Sequence, residues 1–231
     1  MQEELMKITF RIALLVSLVS SSLAAGTAED ALNKLRNSSD NEAAKAELLQ
    51  EVRKDPKALS LALGEAFNKN NSTVHRCALA DVISRTGDER AQKALAGLLK
   101  GAESDLSICV AQYSGENKNE HALDALSDNV EGFLYGADKG LAEKDLKKKI
   151  AAINSIWAMG EIGAPKVMDK LQSFYNSSDE VLRINIIFSM GKLKTKKVVP
   201  YLQKLAENEN ETDGVRSAAA EILEKVEKRG K

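Results

Sequence analysis

Aromatic side chains supply only 4% of this 231-residue chain, and there are three prolines, two histidines and two cysteines. A sheet-based fold draws on β-branched and aromatic residues. Here Ala, Leu, Lys and Glu dominate, and these are strong helix formers. A formal net charge of −1 leaves no basic excess to neutralise phosphates, so nucleic acid is not an expected partner. Two cysteines 32 residues apart, with no His or Cys beside either, do not make a zinc site. No glycine-rich phosphate loop and no serine nucleophile elbow occurs. What remains is an ordinary globular balance, 43% hydrophobic and 29% charged, with helical patterning and no catalytic residues.

The N-terminus reads as an address. Lys7 and Arg11 precede a short apolar run from Ile12 to Val19, followed by small residues from Ser20 to Ala25. Ser22 and Ala24 fit the small-x-small cleavage pattern, which predicts a signal peptide over 1–24 and a mature chain beginning at Ala25. A start at Met1 leaves Glu3 and Glu4 in the basic region, and a start at Met6 removes them; both starts stay open. The run falls short of the ~20 residues of a membrane span, and no later stretch approaches one. The expected location is periplasmic or secreted. Such a compartment permits disulfides. Cys77 and Cys109, about one repeat apart, could be bridged or remain two buried thiols.

A repeat organises the rest. Ala151–Gly160 and Leu182–Gly191 each read as a helix ending in Met-Gly, followed by a turn and a second apolar-periodic helix. Gly160 and Gly191 are 31 residues apart, and so are Met168 and Val199, Leu171 and Leu202, and Phe174 and Leu205. Another copy starts at Val74-His75-Arg76 and carries Gln92, Leu95 and Leu98 in its second helix. A first-helix copy covers Val215–Leu223, and a degenerate copy lies between Leu106 and Leu134. Upstream, Asn41–Val52 and Pro56–Phe67 read as two more helices. Gly87 suits a left-handed helix end, Asp88 and Asp55 suit N-caps, and Ser178 or Asp179 can cap the helix holding Arg183. Ser114–Asn119 and Glu207–Gly214 read as solvated loops.

The form Val/Leu-Arg-x-x-Ala/Ile-x-x-x-Leu/Met-Gly, a short turn, then Val-x-x-Leu-x-x-Leu resembles the HEAT-like repeats of the phycobilisome-lyase type. The likeness is strongest at 149–206, clear at 74–100 and 213–226, and weak at 104–135. It implies an all-α, right-handed solenoid of stacked antiparallel helix pairs, with first helices outside and second helices lining a concave face. The expected organisation is 1–24 signal peptide, 25–73 capping helices and 74–231 repeat domain, with a degenerate repeat at 104–140, continuous with the capping helices. The same scaffold serves enzymes, adaptors and structural proteins, so the fold does not name the function. Bilin lyases are expected beside their pigment proteins in the cytoplasm, which the export signal contradicts. HEAT-like di-iron hydroxylases use several His-Glu pairs; this chain offers only Glu120-His121, in the reverse order.

Remaining candidates are few. His75 and Cys77, two apart on a helix, point away from each other, and read as a surface histidine and a core cysteine. Trp157 reads as core. Residues 138–204 hold thirteen Lys or Arg against seven acidic residues. Within them Lys166, Lys170, Lys197, Tyr201 and Lys204 fall on second helices, where a 31-residue shift maps Lys166 onto Lys197 and Lys170 onto Tyr201. This predicts a binding stripe for an acidic segment of another protein. The expected function is an exported, non-catalytic adaptor or scaffold without cofactor or metal. The alternatives are an accessory subunit of an envelope enzyme complex, or an enzyme of unknown type.

Overall fold

A computed structural model describes residues 28–136, 143–176 and 178–229, so the expected signal peptide and the start at Ala25 lie outside the described residues. Those residues form twelve α-helices and no strand: α1 (28–37), α2 (Glu42–Lys54), α3 (Pro56–Phe67), α4 (Thr73–Ser84), α5 (Glu89–Leu99), α6 (Ser104–Glu116), α7 (Leu123–Gly136), α8 (Glu143–Ile162), α9 (Val167–Tyr175), α10 (Glu180–Met190), α11 (Val198–Ala206) and α12 (Asp213–Arg229). A 3-10 turn, Glu120–Ala122, leads into α7. No helix among the described residues is long and apolar enough to cross a membrane. The chain divides into two compact units, one ending at Thr86 and one beginning at Gly87, so the division falls between the two helices of the copy at 74–100.

Unit 1 holds α1 to α4 around Leu35, Leu48, Leu59, Ala62, Leu79 and Ile83, all buried. Its boundaries follow local chemistry. Asn41, Asp55 and Ser72 accept from the backbone amides of Ala44, Lys57 and His75, satisfying donors that a helix start leaves open. Pro56 sits in the first turn of α3, where its missing N–H costs nothing.

Unit 2 holds α5 to α12. Its first helices stack in sequence order: α6 packs on α8, α8 on α10 and α10 on α12. Glycine sets how closely they meet. A Cβ on Gly115 would lie 2.8 Å from Ala158 Cα, and one on Gly160 would lie 2.8 Å from Ser189 Cβ and 2.9 Å from Ser189 Cα. One on Gly191 would collide with Ile222. The repeated Met-Gly ending is therefore a packing device: each missing Cβ makes room for the next first helix. Asp88 and Asp179 cap α5 and α10 through the amides of Ala91 and Leu182. Gly87 is left-handed at φ 72°. Ser178 donates instead to the Phe174 carbonyl.

Two local readings change. Ser114–Asn119 is not a solvated loop: α6 runs on to Glu116, and Ser114, Gly115 and Asn119 are buried. Asn119 donates to the Gln92 carbonyl at 2.9 Å and caps the amide of His121 at 3.1 Å. Its side chain thus ties the turn to α5. Trp157 is half-buried, not core, and the Lys192 ammonium stands 4.9 Å above its ring while also pairing with Glu161. The tryptophan is shared between packing and a surface cation–π contact.

Candidate functional site

The second helices of unit 2 carry the expected basic residues, and their geometry differs from a bare stripe. Lys166 and Lys197 stand at the N-caps of α9 and α11, one residue before each helix. Lys170, Tyr201 and Lys204 are within the helices. Lys197 Nζ lies 3.0 Å from Asp169 of α9, and Lys170 Nζ lies 3.7 Å from Glu131 of α7. These two contacts link α7 to α9 and α9 to α11, so the three second helices present one common face. Both pairs are well exposed, where an ion pair contributes about 0–1 kcal/mol. Lys166 and Lys204 are exposed with no partner among the described residues. Lys166 and Lys170 flank a small cleft of about 80 Å³ floored by Leu123, Met159 and Val167, with Asp124 and Ser127 on its wall. The positive charge of this face is thus interleaved with carboxylates. Elsewhere in the basic stretch, Lys147, Lys149 and Arg183 pair with Asp105, Asp179 and Glu211. Sequence counting within 138–204 could not see Asp105, Glu131 and Glu211, because they come from outside that span.

Tyr201 faces a buried cluster as well as the lysines. Its ring meets that of Tyr175 edge-on, at 6.2 Å between centroids and 87° between planes. Arg183 lies 5.4 Å over the Tyr175 ring, donates from Nε to the Ser178 carbonyl at 2.9 Å and from Nη1 to Glu211 at 3.0 Å. Burial pushes the Tyr175 phenol well above its ordinary range. The nearby Glu211 charge acts in the same direction, and Arg183 opposes both. Tyr175 Oη is buried beside the Glu211 carboxylate. Burial also raises Tyr201, again with Glu211 adding and Arg183 opposing. Glu211 thus belongs to this cluster, although its segment reads as a solvated loop.

In unit 1 the structure corrects the reading of His75, which is buried to 2% exposure and not on the surface. Its Nε2 lies 3.4 Å from Glu65 Oε2, close enough for an ion pair if the ring is protonated, yet neither ring nitrogen makes a hydrogen bond among the described residues. Glu65 also meets Arg36 at 3.0 Å and Asn71 at 2.9 Å. Burial alone would raise its carboxyl, but Arg36, Asn71 and His75 outweigh that and hold it below the usual range. The repeat explains the burial: His75 precedes Arg76 as Leu182 precedes Arg183 and Val215 precedes Arg216, and both aliphatic residues are fully buried. Arg76 and Arg183 also share a role, each giving Nε to a backbone carbonyl just upstream, Ala66 and Ser178, at 2.9 Å.

His121 is exposed. Neither Cys77 on α4 nor Cys109 on α6 is a free thiol, and both are half-buried. Among the described residues no group of three or more His, Cys, Asp or Glu side chains converges as a metal site would require.

Stacked antiparallel helix pairs repeating every 31 residues define an all-α solenoid, a class whose working surfaces are extended helical faces. Residues 141–226, from α8 into α12, match the family model for HEAT repeats. No curated protein matches it.

Proposed function

We propose that this protein is an exported, non-catalytic scaffold that binds another protein through the common face of α7, α9 and α11. The observation that carries the reading is the rung-like contact between second helices, Glu131 with Lys170 and Asp169 with Lys197. It links the three second helices side by side, and Lys166 and Lys204 are exposed at the start of α9 and on α11 with no partner for either among the described residues. HEAT repeats typically mediate protein interactions, which supports the scaffold reading. The partner's complementary feature is an acidic segment. Exposed rungs are weak, so a partner's carboxylates can exchange with Asp169 and Glu131 at little cost. Export rests on the sequence alone, on Lys7, Arg11, the run Ile12–Val19 and the small residues Ser22 and Ala24.

The test is capture of partners from envelope extract by the mature chain and by a variant carrying Lys166→Glu, Lys170→Glu, Lys197→Glu and Lys204→Glu. The expected result is loss of the partners that elute earliest with salt, because exposed charges are screened within about 8–10 Å at physiological ionic strength. An unchanged partner set refutes the face. Intact chain retained in the cytosol with its N-terminus uncut refutes export.

A further inference from the structure

The end of the α10–α11 repeat holds an open cleft of about 550 Å³. Its floor is Leu193, Val199 and Val226, and its rim is Lys194, Thr195, Lys196, Glu227 and Arg229. The repeat itself shows what belongs there. One repeat upstream, Met168 stands where Val199 stands, and it is fully buried, whereas Val199 is half-exposed. The residues one repeat before Val226–Arg229 are Thr195–Val198, where the chain leaves α10 by a turn and starts α11. Helix α11 then lies across α9: Tyr201 meets Tyr175, and Lys197 meets Asp169. Helix α12 does not turn at the matching positions. It continues as a helix through Val226 to Arg229, where Arg229 hydrogen-bonds to the Gly191 carbonyl. The face of α11 that a following second helix would cover, as α11 covers α9, therefore remains open among the described residues.

We infer that this cleft is a docking seat for an amphipathic helix of a partner protein with an acidic edge. The apolar spacing of the occupant follows from α11, whose buried Val198, Leu202 and Leu205 fall at i, i+4 and i+7. Its charge follows from the rim, which has three cations, Lys194, Lys196 and Arg229, against the single carboxylate of Glu227. Lys194 and Lys196 are exposed and have no partner among the described residues. An enclosed pocket covers most of a small ligand, and this cleft is too open for that. A helix laid along it contributes both its own apolar stripe and a row of carboxylates. The inference takes from the scaffold reading only that the partner is a protein, and it does not use the face of Lys166, Lys170 and Lys204.

The test uses the whole chain and a defined probe: a fluorescent, helix-stapled peptide with the sequence of residues 196–208, carrying Lys196→Glu, Lys197→Glu and Lys204→Glu. Fluorescence polarisation is expected to show saturable binding. Reversal of Lys194 and Lys196 to Glu in the protein weakens it about tenfold or more. Both are exposed, so the reversal does not threaten the fold, and a melting curve checks this. Val199→Asp abolishes binding, and Lys166→Glu with Lys170→Glu leaves it unchanged. Absence of binding, or binding indifferent to the Lys194 and Lys196 reversal, overturns the inference. Sedimentation showing a dimer that Val199→Asp dissolves would assign the cleft to a second copy, and also overturns it. Failure of the partner-capture experiment on the inner lysines does not alter these outcomes, so the two readings fall separately.

Discussion

Arg183 reaches three places at once: its guanidinium covers the Tyr175 ring at 5.4 Å, and its nitrogens hold Glu211 at 3.0 Å and the Ser178 carbonyl at 2.9 Å. It is therefore the joint between the loop after α9 and the loop before α12. Its replacement strands Glu211, whose side chain is only 10% exposed. Arg183→Gln is expected to destabilise unit 2 by about 2–3 kcal/mol, the range for a charged hydrogen bond whose partner stays buried. Glu211→Gln in the same chain should recover part of that loss, because the stranded charge is gone. A double-mutant cycle by urea denaturation measures both. Additive losses would mean that the pair does not couple.

Asp179 gives a pH dependence with a definite sign. It caps α10 and pairs with Lys149 at 2.5 Å. Burial tends to raise its carboxyl, but Lys149 and the amides of Leu182 and Val181 prevail and hold it below its ordinary 3.8. The folded value is thus below the unfolded one. The stabilisation is full above the unfolded value and is lost as pH falls through the folded value. Asn caps a helix about as well as Asp, so Asp179→Asn removes the charge and keeps the cap. Wild type should be the more stable of the two at pH 7, with the gap closing below about pH 4. A gap that persists to pH 2 in thermal melts would contradict the assignment.

Two kinds of helical glycine can be told apart by one substitution. Gly160→Ala drives a methyl into Ser189, including its backbone, and should cost about 1–3 kcal/mol as an overpacked contact. Gly132 on α7 has nothing within 4 Å of where an added methyl would sit, so Gly132→Ala should stabilise by about 0.5–1 kcal/mol through helix propensity. Denaturation midpoints of the two variants should move in opposite directions.

For the cysteines the expected state is a bridge between Cys77 and Cys109. Thiol labelling of the denatured chain should find no reactive group before reduction and two afterwards. A loop of this length adds about 3–4 kcal/mol in the chain-entropy account, so reductant should lower the unfolding midpoint. Equal labelling with and without reductant would exclude the bridge.

Much of the architecture is legible in the sequence because its determinants are local and periodic. The 31-residue echo of Gly160 in Gly191 marks the helix stacking, and Asp55-Pro56, Gly87-Asp88 and Asp179 mark helix ends by capping chemistry alone. The proposed binding face is less legible. Lys170 and Lys197 share the expected surface, and Asp169 lies within the counted stretch, but Glu131 comes from the preceding repeat, so counting along one chain segment reports the cations without all of their counter-charges. His75 shows the opposite case. Polarity suggests the surface, while its register against Leu182 and Val215 already places it in the core. Register outranks residue type wherever a repeat fixes the core positions. Ser114–Asn119 misleads because its small polar residues are what a turn would use, and only the approach of Ala158 and Trp157 to Gly115 reveals that they are packed.

The glycine contacts and the lysine rungs lie on different helices of the same repeats, and they differ in kind. Along the first helices, backbone nearly touches side chain or backbone, with no slack to take up. Along the second helices, Tyr175 and Tyr201 pack α9 on α11, and the lysine rungs are long exposed side chains that water and salt readily part. The spine of unit 2 is thus held by close backbone approach, and its lysine rungs by contacts that depend on ionic strength. Salt should part the rungs, while the helix-to-helix spacing at the glycines stays constant.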